Sequence, residues 1–128
     1  MGNPIKPLKP IKVIDSNGVN NMTGTSTVVS GIIDTWGLNA LSLEIQAAGT
    51  AQGALTLAGS NQYDPATNPN AAFVPLPSSA MVPALPSVNG SAVSYLGSVA
   101  TGARYVQLKY VNATGAGQLN VWMNGTGA

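Results

Sequence analysis

An all-β fold is predicted: an antiparallel β-sandwich or jelly roll of about seven or eight strands with an extended Pro-rich N-terminal arm. Three observations predict it. Apolar and polar side chains alternate with a period of two over residues 41–47, 54–59, 104–111 and 118–124, the pattern of strands with one buried face. Fifteen Gly and nine Pro punctuate the 128 residues and favour turns and short strands over helices. Charged residues make up only 7% of the chain, against roughly 25% in ordinary globular proteins, while the hydrophobic share of 45% is unexceptional. A chain of this length holds one domain with a real core. We read residues 1–14 as the arm and 15–128 as the sandwich.

Within the arm, residues 4–12 repeat Pro-Ile-Lys, Pro-Leu-Lys, Pro-Ile-Lys. Polyproline II has three residues per turn, so this period stacks prolines, apolar side chains and lysines on three separate ridges. Prolines lower the entropy cost of docking and the apolar ridge gives a reason to dock. Three of the five cations lie here, which suits an acidic partner surface. Ile5, Lys6, Leu8, Lys9, Ile11 and Lys12 are therefore candidate partner-binding residues, the alternative being that the arm lies on its own domain.

Asp15-Ser-Asn-Gly18 is a turn signal. Residues 25–34 carry apolar groups on both faces, as an inner strand of a two-layer structure would. Leu41, Leu43, Ile45 and Ala47 point inward on the next strand, residues 49–53 form a hairpin loop, and residues 54–59 return. Residues 60–77 hold several prolines and make a long loop with at most a short edge strand near Phe73-Val74. Residues 80–86, cut by Pro83 and Pro86, cross the surface in extended form. Asn89-Gly90 is a turn, residues 92–99 are a strand, and Thr101-Gly102 lead into the last pair.

Residues 104–111 and 118–124, joined by the small residues of 112–117, read as a hairpin. With Val111 opposite Gln118, the pairs Tyr110/Leu119, Leu108/Val121 and Val106/Met123 face the core. Lys109 with Asn120 and Gln107 with Trp122 fall on the other side, as does Tyr105. Tyr105, Gln107 and Trp122 are thus candidate partner-binding residues on a sheet face. Exposed aromatics there suit a protein interface or a sugar platform, unless another strand or the arm covers them.

Cys and His are both absent, which removes disulfides, thiolate chemistry, the commonest metal ligand and the commonest general base. Asp15, Asp34, Glu44 and Asp64 are scattered, and Asp15 and Asp64 look like turn formers. No catalytic residue, metal ligand or cofactor is expected, and the chain is read as no enzyme. Three lysines without interleaved aromatics are a small footprint for nucleic acid. No apolar run approaches the roughly 20 residues of a membrane span, and no signal-peptide h-region is seen, so synthesis in the cytoplasm without export is expected. A net charge of +1 on so neutral a surface predicts burial in an assembly, with a homo-oligomer, a dimer or trimer, as the natural form.

Leu41-Ser-Leu-Glu-Ile-Gln with Gly53-Ala-Leu-Thr-Leu-Ala-Gly-Ser-Asn61, then Arg104-Tyr-Val-Gln-Leu-Lys-Tyr110, then Gly115-Ala-Gly-Gln-Leu-Asn-Val-Trp122 together resemble small accessory virion proteins of tailed bacteriophages. The resemblance spans about the last two-thirds of the chain. Residues 62–72 depart from it, since such proteins have a short turn there, and the arm lies outside it. It implies a jelly-roll or discoidin-like sandwich that decorates or cements a capsid from its outer surface, with the major capsid protein as partner. A carbohydrate- or receptor-binding module of a tail or fibre is the other role it implies.

Overall fold

Two antiparallel β-sheets packed against each other make up the fold in a computed structural model that describes residues 4–100 and 102–127. Residues 1–3 of the arm, Thr101 of the turn before residue 104, and Ala128 lie outside the described residues. The strands are β1 (Ile11–Ile14), β2 (Met22–Thr23), β3 (Thr27–Val29), β4 (Ile33–Asp34), β5 (Leu38–Gly49), β6 (Gln52–Ser60), β7 (Val74–Pro75), β8 (Ser87–Asn89), β9 (Val93–Ala100), β10 (Tyr105–Thr114) and β11 (Ala116–Gly127). One 3-10 turn spans Ser78–Ala80. The first sheet runs β1-β11-β5-β9, with β2 also on β11; the second runs β3-β10-β6-β7, with β4 also on β10 and β8 on β6. The described strands number eleven rather than seven or eight, because pieces of two to four residues tile the edges of the long ones.

Both connections read as hairpins are arches that cross from one sheet to the other. β10 does not pair with β11: Tyr110 lies opposite Leu55 and Leu108 opposite Leu57 on β6. Across the sandwich, Leu119, Val121 and Met123 of β11 lie opposite Ala47, Ile45 and Leu43 of β5. The same correction applies to β5 and β6, which sit in different sheets. Two alternating strands on a short link can bury their apolar rows side by side or face to face, and the second arrangement encloses both rows. Leu108, Tyr110, Leu119 and Val121 are all fully buried, each such side chain contributing roughly 1.5–3 kcal/mol. The arches stack at one end, where the Thr50 amide donates to the Ala116 carbonyl at 2.9 Å. Gly49 and Gly115 take φ of 106° and 74° there, and a side chain on Gly115 would strike the Thr50 carbonyl.

Leu41, Leu43, Ile45 and Ala47 point inward as their alternation requires. Leu55 and Leu57 of β6, Tyr95 and Val99 of β9, and Met81 complete the core between the sheets. Residues 25–34 are an edge rather than an inner strand. β3 and β4 both pair with β10, and the run breaks between them where the Ser30 hydroxyl accepts from the Leu108 amide at 3.0 Å. The broken ladder leaves Val29 half exposed while Ile33 is fully buried.

Over its described residues the arm lies along its own domain. Ile5 donates to Ile32 and accepts from Asp34, each at 2.7 Å, which fastens it to the second sheet. Two residues later the Pro7 carbonyl accepts from Gly125 at 2.7 Å, and β1 then pairs with β11 in the first sheet. The segment thereby laces the two sheets together at one end.

Candidate functional site

Ionic groups are few and mostly satisfied within the chain. Lys12 pairs with Asp15 at 3.1 Å. Asp34 gathers a cluster: its carboxylate accepts from the Trp36 amide at 2.9 Å and from Arg104 Nε at 3.1 Å, with Lys6 Nζ at 3.8 Å. Lys6 also donates to the Trp36 carbonyl, and the Arg104 guanidinium lies 5.0 Å from the centre of the Trp36 ring and 4.9 Å from that of Tyr105. Asp64 holds a turn by accepting from the amides of Ala66 and Thr67 at 2.8 and 3.0 Å. Among the described residues no three His, Cys, Asp or Glu side chains converge. What the surface offers instead is neutral polar groups and isolated large apolar ones.

The six arm residues divide. Ile5 packs against the core, Lys6 is held by Asp34, and Ile11 is half-buried opposite Met123. Lys12 lies opposite Trp122 with its ammonium 5.0 Å from the ring centre. Leu8, at 72% exposure, and the exposed Lys9 turn outward, with no side-chain partner among the described residues. The sheet-face trio is separated too, because β10 and β11 belong to different sheets. Tyr105 and Gln107 lie on the outer face of the second sheet and Trp122 on that of the first, so they form no common platform. Tyr105 is buried under Tyr63, ring centres 5.0 Å apart, and the Gln107 amide donates to the Ser30 carbonyl at 2.9 Å. Trp122 is half-buried under Lys12.

Among the described residues the exposed aromatic is Trp36, in the turn between β4 and β5. It is 67% exposed at the mouth of a cleft of about 430 Å³ that also meets Asn61 and Arg104. Beside it, a groove of about 680 Å³ runs between the ends of the sheets, past Val74, Leu76, Val99 and Ala103. No spacing in the sequence brings Trp36, Asn61 and Arg104 together; the pairing of both β4 and β6 with β10 does, with the Arg104 amide donating to Asn61 Oδ1 at 2.9 Å.

No family model, curated protein or solved structure matches this chain. The reading of its role therefore rests on its own residues.

Partial burial disfavours the charge on Asp34, but the Trp36 amide, Arg104 and Lys6 outweigh it and hold the carboxyl below its ordinary value of 3.8. A folded pKa below the unfolded one gives stability that is fully present above the unfolded value. That stability is lost as pH falls through the folded one. Unfolding in urea at a series of pH values below about 5 is expected to show wild type losing stability more steeply than Asp34→Asn. Parallel pH profiles would show that the cluster contributes nothing to the folded state.

Proposed function

We propose that the chain is a non-enzymatic structural protein of a phage virion that binds the outer surface of the capsid and decorates or cements neighbouring capsomers. One observation carries this reading. With only 7% charged residues, the surface displays Leu8, Val19, Val29, Trp36, Val74, Val82, Leu96 and Val111 at 41–72% exposure. A free monomer is kept dispersed by charge, whereas a lattice component is kept in place by many neutral contacts. Repetition over a shell converts modest single-site affinity into strong retention without any catalysis. The alternation of the long strands β5, β6, β9, β10 and β11 between the two sheets supports a jelly-roll topology, the architecture the resemblance implies. Leu8 and Lys9 are the arm's contribution to such contacts, since its other candidate residues are engaged internally.

Co-sedimentation with capsid shells tests the proposal. Binding is expected to saturate at a fixed ratio to the major capsid protein, and Leu8→Glu with Lys9→Glu to weaken it about tenfold while the fold persists, about 1.4 kcal/mol per site. Failure of the wild-type protein to sediment with the shells overturns the role; undiminished binding by the variant removes the arm from it.

A receptor-binding role on a tail or fibre is the second reading, and the Trp36 cleft is what favours it. An exposed indole beside Arg104 and Asn61 offers a stacking surface and polar groups to a sugar ring. Fluorescence titrated with host surface glycans is expected to respond through Trp36, and to lose that response in Trp36→Ala.

A further inference from the structure

Three of the four sheet edges are closed by this chain's own short strands: β1 and β2 along β11, β3 and β4 along β10, β7 and β8 along β6. The fourth edge is β9, eight residues long, paired with β5 from Ala40↔Ala100 to Ala47↔Val93 without a bulge. Among the described residues, the backbone hydrogen bonds on its far side go to Val82, which exchanges both with Ser98 at 2.8 and 3.1 Å. Successive residues of a strand aim their amides and carbonyls to opposite sides. Ser94 and Leu96 share the parity of Ser98, so theirs point outward as well, and no described backbone group takes them.

Edges of this kind are ordinarily blunted by Lys, Pro, a bulge or a covering loop. β9 reads Val-Ser-Tyr-Leu-Gly-Ser-Val-Ala and carries none of the first three. Leu96 and Val82 beside it are 66% and 71% exposed.

We propose that β9 is a pairing edge and that its occupant is β9 of a second copy of this chain, added antiparallel about a two-fold axis. A strand without charge meets itself with no like charges opposed, the requirement for a self-complementary two-fold interface. The charge nearest in register is Glu44, one strand further in. The register that keeps the Val82–Ser98 bridge sets Tyr95 opposite Tyr95. Ser94 of each copy then lies opposite Leu96 of the other, giving two reciprocal hydrogen-bonded pairs. Pairing stops where Val82 occupies Ser98, and the first sheet continues unbroken from one copy into the next. Strand pairing over so short a length buries less than the roughly 800 Å² per partner of a standard interface, so the dimer dissociates on dilution. The pairing specifies the self-association that the proposed virion role calls for, and it rests on that role for its use, not for its geometry.

Sedimentation of the full chain over a dilution series tests it, with two variants that leave the fold's own backbone hydrogen bonds in place, Ser94→Pro giving up only the exposed bond that the Ser94 hydroxyl accepts from Gln46. Ser94→Pro removes an outward amide, and Leu96→Lys puts charge on the exposed face. A reversible monomer–dimer equilibrium is expected for wild type. Each variant, with its circular dichroism unchanged, is expected to raise the dissociation constant at least tenfold. In wild type, exchange protection of the Ser94 and Leu96 amides is expected to rise with concentration. A wild-type monomer throughout, a trimer, or a dimer equally tight in both variants overturns the proposal. A monomer that still sediments with shells overturns the pairing alone; a dimer that ignores shells overturns the shell role alone.

Discussion

Asn112→Ala is expected to lower the unfolding free energy by about 3 kcal/mol, a drop in Tm of roughly 10 °C for a domain of this size. Asn112 is almost completely buried. Its Oδ1 accepts from the Tyr110 hydroxyl at 2.7 Å, and its Nδ2 donates to the carbonyls of Gly24 at 2.9 Å and Gly115 at 3.1 Å. One amide thus joins the end of β10, the crossing to β11 and the loop before β3. Alanine leaves the fully buried Tyr110 hydroxyl without its acceptor and two carbonyls without a donor, and a buried group stripped of its partner costs about 1–3 kcal/mol. The same substitution separates the two ways of joining β10 to β11. In a hairpin, Asn112 would stand in a solvated loop and alanine would be nearly neutral. In an arch it is a buried tie. Urea unfolding of Asn112→Ala, Tyr110→Phe and the double variant gives the coupling directly, and a loss under about 0.5 kcal/mol for Asn112→Ala would contradict the arch.

That contrast also shows what the sequence could and could not specify. Alternation of period two states which side of a strand faces the core, and it placed Leu41, Leu43, Ile45, Leu108, Val121 and Met123 there correctly. It does not state which sheet the strand belongs to. Val121 faces the core equally well beside Leu108 in a hairpin or across from it in a sandwich, and Gly-rich connections suit both outcomes. The candidate sites inherited this ambiguity: a shared face for Tyr105 and Trp122 existed only if β10 and β11 were neighbours. Exposure of Tyr105 was illegible for a second reason. Its cover, Tyr63, comes from the long loop after β6, which has no period from which its path could be inferred. The arm's threefold repeat was legible as a repeat, but Ile5 and Pro7 use their backbones on the chain's own sheets, an interaction that side-chain spacing does not encode.

Gly97→Val is expected to cost about 3 kcal/mol and, unlike a simple core defect, not to weaken self-association through β9. Gly97 lies on the inward face of β9, and the ring of Tyr95, two residues earlier on that face, lies back over it. A β-carbon on Gly97 would run into the hydroxyl and ring of Tyr95. Tyr95 is 8% exposed and donates from its hydroxyl to the Pro83 carbonyl at 2.6 Å. Valine therefore has to displace a buried aromatic ring, an overpacking cost of about 1–3 kcal/mol. The lost hydroxyl bond adds about 1 kcal/mol. Tyr95→Phe, which keeps the ring and loses the bond, is expected to show only that smaller part. In a Tyr95→Ala background, where the ring is already gone, Gly97→Val is expected to cost distinctly less than in wild type. Equal costs in the two backgrounds would place the strain elsewhere. The Pro83 carbonyl lies next to Val82, the residue that closes β9 at Ser98. Freeing that strap uncovers Ser98 and lengthens the available edge, so urea unfolding should report a weaker fold while sedimentation reports a dimer at least as tight.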